Sequence, residues 1–388
     1  MNDAKRPCIL HITRNLPPLV GGMERLNWHI ADELSRHADV HVIGPQGAAA
    51  LKPESVHLTE VPLRPLWRFL LASVKQASTT ARRIRPDIVL AGSGLTAPAA
   101  LLAARVSKAR AAVYVHGLDV AVHHPVYRAL WHPAIRHMDT VIANSHPTAE
   151  LVRELGVEPD RIKIVHPGVT LPTAPQPPEA LQAFRQCHGL GDARLLLSIG
   201  RLTTRKGLHE FVQHALPGIV RQAQDTLLVV IGDTPANALH ADIQAPESIR
   251  AIATEAGIGD HVRFLGGVSD VELACAYESA AVHVFPVRHI PGDPEGFGMV
   301  AIEAAAHGLP SVAFATGGVV DAISEGRSGR LIPPGDYVGM VDAICRILIE
   351  GDAWAGGCLE FAQGFAWAGF GKSIAQQLNQ SGFHGGMG

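Results

Sequence analysis

The chain has 388 residues, room for two domains of ordinary size, and its 47% hydrophobic and 18% charged content excludes a disordered chain. Its net charge of −3 hides an asymmetry: residues 1–170 hold 20 Lys and Arg against 14 Asp and Glu, and residues 171–388 hold 13 against 22. Five scattered cysteines without C-x-x-C spacing exclude a disulfide framework and a linear zinc motif, and the negative balance without an aromatic stacking platform argues against nucleic acid.

The start of the chain runs straight into a short apolar strand and lacks the apolar core of a signal peptide. The uncharged stretch 88–104 is interrupted by Gly92, Ser93, Gly94 and Pro98, so it does not span a bilayer, and the expected location is the cytoplasm. Short apolar runs alternate with helical patterns throughout, which predicts parallel sheets built from βα units. In the first half the expected strands are 9–13, 40–43, 88–91, 112–116, 140–143 and 162–165, with a helix over 23–37 that carries Leu26, Ile30 and Leu34 at helical spacing. The segment 64–85 holds Arg64, Arg68, Lys75, Arg82, Arg83 and Arg85 and no acid, with Trp67, Phe69, Leu70 and Leu71 near its start. A basic helix of this kind suits an anionic membrane surface; an ordinary solvated helix face explains the same charges.

Four prolines within 171–178 forbid both helix and central strand, so a Pro-rich linker is expected over 173–190. The alternation then restarts, with strands at 195–199, 227–231, 262–265, 282–285 and 311–314. The reading is an α/β protein with two Rossmann-like domains, 1–172 and 191–367, whose parallel sheets face a cleft. Residues beyond 380 are expected to fray. Ligands of open parallel sheets bind beyond the carboxyl ends of the strands, so the residues that follow each strand matter most.

Four such stretches carry chemistry. After the strand at 195–199, Gly200-Arg201-Leu202-Thr203-Thr204-Arg205-Lys206-Gly207 places fixed cations at Arg201 and Lys206 beside a helix start, which suits a diphosphate; a plain basic surface turn is the alternative. Glu295-Gly296-Phe297-Gly298 precedes an apolar helix bearing Glu303, and glycines ahead of such a helix leave free backbone amides at its N-terminus, a seat for phosphate with a carboxylate on either side. His116-Gly117 ends the strand at 112–116, where an imidazole donates to a sugar hydroxyl or serves as a structural histidine. Gly21-Gly22 opens the first helix and permits close backbone approach. Two carboxylates also suit glycoside hydrolysis, but a hydrolase needs no phosphate seat. With no D-x-D handle for a metal–diphosphate complex, transfer without a bound metal is expected, and no cofactor beyond the donor substrate.

These motifs together resemble the retaining glycosyltransferases of family 4, which have the GT-B fold. The resemblance covers nearly the whole chain: Gly21-Gly22, His116-Gly117, Ala143-Asn144-Ser145, Pro167-Gly168-Val169, Gly200-Arg201-Leu202 with Lys206-Gly207, Gly232-Asp233, Phe264-Leu265-Gly266, Glu295 with Glu303, Gly317-Gly318 and the run from Gly329 to Pro334. It implies that Arg201 and Lys206 hold the donor diphosphate, Glu303 the ribose, and Glu295 the transferred sugar. Phe297, Gly298 and Met299 would close on sugar and phosphate, His116 would contact the sugar near its reacting carbon, and Gly22 would approach the diphosphate. Residues 1–172 then form the acceptor side and 191–367 bind the nucleotide sugar. Phe365-Ala366-Trp367 resembles the closing segment of the family, after which a helix at about 368–380 returns to the first domain. Some members carry an acid where this chain has Asn15, and Asp119 is a candidate substitute.

The expected activity is transfer of a hexose, with the anomeric configuration kept, from a nucleoside diphosphate sugar to a hydroxyl of a lipid-linked saccharide in envelope or surface polysaccharide synthesis. The run from Pro286 to Gly298 is similar to mannosyltransferases of the family, which favours GDP-mannose over UDP-hexoses. A nucleotide-sugar 2-epimerase of similar architecture and a non-catalytic nucleotide-sugar-binding scaffold are the alternatives. A chain of this kind would sit in the cytoplasm, or peripherally on the inner face of the plasma membrane through 64–85.

Overall fold

A computed structural model describes residues 6–234 and 243–380, and the tail beyond 380 lies outside the described residues. The chain divides into two compact units, one made of residues 1–168 and 367–388 and the other of residues 169–366.

The first unit is built on a seven-stranded parallel sheet: β1 (Cys8–Ile12), β2 (Asp39–Pro45), β3 (His57–Val61), β4 (Ile88–Ala91), β5 (Arg110–Val115), β6 (Thr140–Ala143) and β7 (Ile162–Ile164), in spatial order β3-β2-β1-β4-β5-β6-β7. The second unit has six parallel strands: β8 (Arg194–Ile199), β9 (Thr226–Ile231), β10 (Val262–Gly266), β11 (Ala280–Phe285), β12 (Ser311–Phe314) and β13 (Gly329–Ile332), in order β10-β9-β8-β11-β12-β13. Central strands such as Ile88-Val89-Leu90-Ala91 and the whole of β9 are buried residue by residue, because helices cover both faces of each sheet. That burial is why they read as unbroken apolar runs. Leu10, Ile12, Phe69 and Val113 share one core, and Leu196, Phe211, Leu228 and Phe314 share another.

In both sheets the strand order reverses beside the first strand, between β1 and β4 and between β8 and β11. There the helices leave in opposite directions and open a crevice at the carboxyl ends. The loops after β1, β8 and β11 emerge from these two points.

Two strands, β3 and β13, fall outside the expected set, and both are sheet edges. Each carries charge within a short run, His57-Leu58-Thr59-Glu60-Val61 and Gly329-Arg330-Leu331-Ile332, as edge strands tolerate. The expected linker over 173–190 needs correction. Pro178–Cys187 is a helix, with Phe184 buried among Leu195, Leu197 and Tyr277 of the second unit. Proline at the first helical position has no amide to lose, so Pro178 starts this helix and does not forbid it. Only the residues ahead of Pro178 act as a connection.

The last helix, Trp367–Gln380, packs with the helix Gly22–Ser35 in the first unit. The Trp367 ring stacks on His29 with centroids 3.7 Å apart and planes 11° from parallel, and Ile374 and Leu378 are buried. Gly168 lies beneath the indole: a Cβ there would stand 2.3 Å from Trp367 Cε3. Trp367→Ala is therefore expected to cost about 3–5 kcal/mol of stability in the first unit. Urea unfolding followed by chain cleavage near residue 367 checks this, and a cost within about 0.5 kcal/mol would contradict the packing role.

Candidate active site

At the β8–β11 switch point two loops meet. Strand β8 ends at Ile199 and leads through Gly200 and the exposed Arg201 into a single 3₁₀ turn, Thr204–Lys206. Gly207 follows with φ +69°, and a Cβ there would lie 2.0 Å from the Pro286 carbonyl oxygen, so only glycine fits between the loops. From β11 the chain runs through Pro286 and Asp293 to Glu295, then through Phe297 and Gly298 into the helix Met299–Ala306.

The loops are joined by charge. Lys206 Nζ donates to Glu295 Oε2 at 2.9 Å, and Arg205 Nη1 donates to the same oxygen. Arg205 Nε lies 3.2 Å from Asp293 Oδ1. Below the ammonium, Lys206 Nζ sits 4.7 Å from the centroid of the Phe285 ring, a cation–π contact with an apolar floor. Behind Glu295, Gly318 N donates to its carbonyl oxygen at 2.8 Å, and a Cβ on Gly318 would lie 2.0 Å from Gly296 O. The Gly317-Gly318 turn thus backs the loop at main-chain contact distance.

Burial alone would push the Glu295 carboxyl up, but the Arg205 and Lys206 charges outweigh it and hold the group at about 2. Burial pulls the Lys206 ammonium down, and Glu295 opposes that shift. His283, buried on β11, is held at about 3 by burial and by Lys206, so it stays neutral. Three cations (Arg201, Arg205, Lys206) therefore face two carboxylates (Asp293, Glu295), leaving an excess of positive charge at the switch point.

A pH dependence follows from Glu295. Its folded value lies below the ordinary 4.5, so between about pH 4.5 and pH 2 the unfolded chain binds the extra proton. The stabilisation it confers is present above that window and is lost as pH falls through it. Urea midpoints taken across this range should fall more steeply for the wild type than for Glu295→Gln. Parallel slopes would contradict the ion-pair assignment.

The helix Met299–Ala306 starts at Gly298, which has φ +93° and whose Cβ would lie 2.8 Å from the Phe285 ring. Its first amides, that of Met299 among them, have no partner within the helix. Phe297 is buried, and its ring centroid lies 5.9 Å from that of Phe365. Glu303 lies within this helix, and its Oε2 accepts from the Tyr277 hydroxyl at 3.1 Å. The structure thus gathers Arg201, Lys206, Glu295, Phe297, Gly298, Met299 and Glu303 in the second unit, around one switch point.

In the first unit, Gly22 begins the helix Gly22–Ser35, next to the loop after β1. His116 follows β5 and is buried; its Nε2 lies 2.9 Å from the Gly92 carbonyl, which only accepts, so Nε2 is the donor. Asp119 Oδ2 accepts from the amides of Gly94 (3.0 Å) and His116 (3.1 Å), which ties its carboxylate to the backbone. Asn15 Nδ2 donates to Glu24 Oε1 at 2.7 Å, so the loop that lacks an acid at 15 has one beside it.

Arg205, Asp293, Tyr277 and Glu24 received no role from the sequence. Arg205 shares a turn with Lys206, and adjacency alone does not say which of two cations reaches an acid about ninety positions away. Tyr277 and Glu24 become visible only once helices bring them to Glu303 and Asn15.

Two family models match the chain: Glycosyltransferase Family 4 over residues 20–171, and Glycosyl transferases group 1 over residues 193–350. The chain belongs to glycosyltransferase family 4. Among relatives of this glycosyltransferase, a GDP-mannose-dependent α-(1-6)-phosphatidylinositol monomannoside mannosyltransferase of Mycolicibacterium smegmatis is 27% identical, over 88% of this chain and 89% of its own. A D-inositol 3-phosphate glycosyltransferase of Catenulispora acidiphila is 36% identical over 55% of this chain and 50% of its own. Among solved structures, Anabaena HepE in complex with UDP aligns with TM-score 0.80 at 19% identity, covering 96% of this chain and 99% of that one. A sucrose-phosphate synthase from Thermosynechococcus elongatus aligns with TM-score 0.77 at 21% identity, covering 97% and 99%. The glycosyltransferase has the GT-B fold. Among the described residues no helix is long and apolar enough to cross a membrane.

Proposed function

We propose that this glycosyltransferase moves a hexose from a nucleoside diphosphate sugar to a hydroxyl, with retention at the anomeric carbon and without a bound metal. The observation that carries the reading is Glu295 held between Arg205 and Lys206 at the β8–β11 switch point, next to the amides that open Met299–Ala306. A diphosphate leaves with more negative charge than it brings to the reaction, and Lys206 and Arg201 are assigned to take up that charge. Glu303, held by Tyr277, is assigned to the ribose, and Glu295 to hydroxyls of the transferred sugar. His116 and Gly22 are assigned to the sugar and the diphosphate from the first unit.

GDP-mannose is the favoured donor, supported by the mannosyltransferase relative, and UDP-hexoses are second, supported by the UDP complex of a structural neighbour. Calorimetric titration with UDP, GDP, ADP and their sugars tests this: GDP and GDP-mannose should bind tightest. Binding confined to ADP or to no nucleotide would overturn it. Anomeric NMR of the product tests retention, and turnover in excess chelator tests metal independence.

The acceptor is assigned as a lipid-linked saccharide, with the enzyme resting on the inner face of the membrane. The helix Leu66–Ile84 supports this: Trp67 is 57% and Leu71 65% exposed, beside the exposed Arg64, Arg68, Lys75 and Arg82. Arg68 lies over the Trp67 ring at 5.2 Å, while Phe69 on the opposite side is buried. Co-sedimentation with anionic vesicles should weaken with salt and with Lys75→Glu. Sedimentation indifferent to salt and to anionic lipid would remove the membrane from the reading.

A further inference from the structure

At the opposite end of the first sheet from its switch point, three neighbouring strands begin with metal-ligand chemistry. In the parallel register Cys8 on β1 pairs with Asp39 on β2, and His41 on β2 pairs with His57 on β3. Asp39 and His41 are two residues apart, so alternation puts both on one face, and register places Cys8 and His57 on that same face.

The atoms converge. Cys8 Sγ, an Asp39 carboxylate oxygen and a His41 ring nitrogen all lie within 4.8 Å of one another. His41 Nε2 is 3.4 Å from Asp39 Oδ2, and His57 Nε2 is 3.8 Å from Asp39 Oδ1. The two imidazoles stack, with centroids 4.7 Å apart and planes 20° from parallel, and each Nε2 lies against a different oxygen of Asp39. Ligands about 2.0–2.3 Å from a tetrahedral zinc ion stand roughly 3.3–3.8 Å from one another, and the His–Asp spacings fall in or near that range. Asp87 Oδ2 accepts from the Cys8 amide at 2.8 Å and fixes the start of β1. His41 and His57 also wall a hollow of about 880 Å³ shared with Lys52, Glu54 and Arg83, which gives an ion a way in from solvent.

We propose that Cys8, Asp39, His41 and His57 form a site for a zinc-class divalent cation that clasps the edge strand β3 to β2 and β1. Cys8, Asp39 and His41 converge, and His57, against the other Asp39 oxygen, is the fourth candidate ligand, so the donors are one thiol, one carboxylate and two imidazoles, the types found in structural zinc sites. Loading the ion releases the Cys8 thiol proton to solvent as the thiolate–metal bond forms. The role is structural, since the strand starts lie a strand length from the carboxyl ends where ligands of such sheets bind.

The test uses the full chain, stripped of metal by chelator, with Co²⁺ as the optical probe and Zn²⁺ as competitor. One Co²⁺ per chain should give a thiolate-to-cobalt charge-transfer absorption and the intense visible bands of a four-coordinate ion, both abolished by Zn²⁺. Cys8→Ser should remove the charge-transfer band, and His57→Gln, on the exposed edge, should weaken affinity at least tenfold. Cys187→Ser, which alters an exposed cysteine elsewhere, should leave the spectrum intact. Zinc should also raise the melting temperature of the wild type and not that of Cys8→Ser. A charge-transfer band that survives Cys8→Ser, a spectrum lost in Cys187→Ser, or no binding at micromolar metal would overturn the proposal.

Discussion

Lys206→Ala is expected to lower kcat/KM by roughly 30- to 160-fold, about 2–3 kcal/mol of transition-state stabilisation. The ammonium sits on an apolar ring and beside a carboxylate, with little water to share its charge, so its field at a departing phosphate is strong. On the proposed role of Lys206 the loss should fall mainly on kcat, because leaving-group charge develops only as the glycosidic bond breaks. Steady-state kinetics with the donor identified by calorimetry decide it. Unchanged turnover would remove Lys206 from the chemistry. Lys206→Arg is not expected to restore the rate, since a planar guanidinium does not fit the position of a compact ammonium over Phe285.

Glu295→Ala is expected to cost about 3–5 kcal/mol of stability in the second unit, because Arg205 and Lys206 would keep their charges in a largely buried place with the shared partner gone. Glu295→Gln retains an oxygen to accept from Lys206 and should cost less. On the proposed assignment of Glu295 to the transferred sugar, both variants should also lose turnover. Urea unfolding separates the two effects: the alanine variant falls well below the glutamine variant in midpoint while their activities are similarly low. Midpoints of both variants equal to that of the wild type would mean that Glu295 does not neutralise the two cations.

Much of this arrangement is legible in the sequence, and the limits have physical causes. Strands 88–91, 140–143 and 311–314 match their expected bounds because burial on both faces turns them into unbroken apolar runs. Edge strands β3 and β13 do not read this way, since one side of each meets solvent or loop and admits charge. Glycines could be interpreted where the backbone demanded them: Gly207 and Gly298 both take positive φ beside another loop or ring. Pro178 misled because proline density looks the same in a connection and at a helix start. The cations at 201 and 206 were identifiable from strand, turn and helix order, whereas the choice of Arg205 as a partner of Glu295 depends on how two distant loops meet. The same limit applies to the three-strand cluster at Cys8, Asp39, His41 and His57. Zinc motifs are recognised by close spacing along the chain, and a set collected across parallel strands has none.

The bond from Asn15 to Glu24 has one more consequence. A loop beside a ligand site ordinarily gives up conformational freedom when it closes on its ligand, and that loss is subtracted from affinity. Here the loop after β1 is fastened by a side-chain amide to the first turn of a helix, so part of its ordering is completed when the chain folds. An acceptor that met this loop would find it already arranged. On the proposed roles of the first unit, Asn15→Ala should leave the melting temperature in place and raise the KM for the acceptor and, through Gly22, that for the donor.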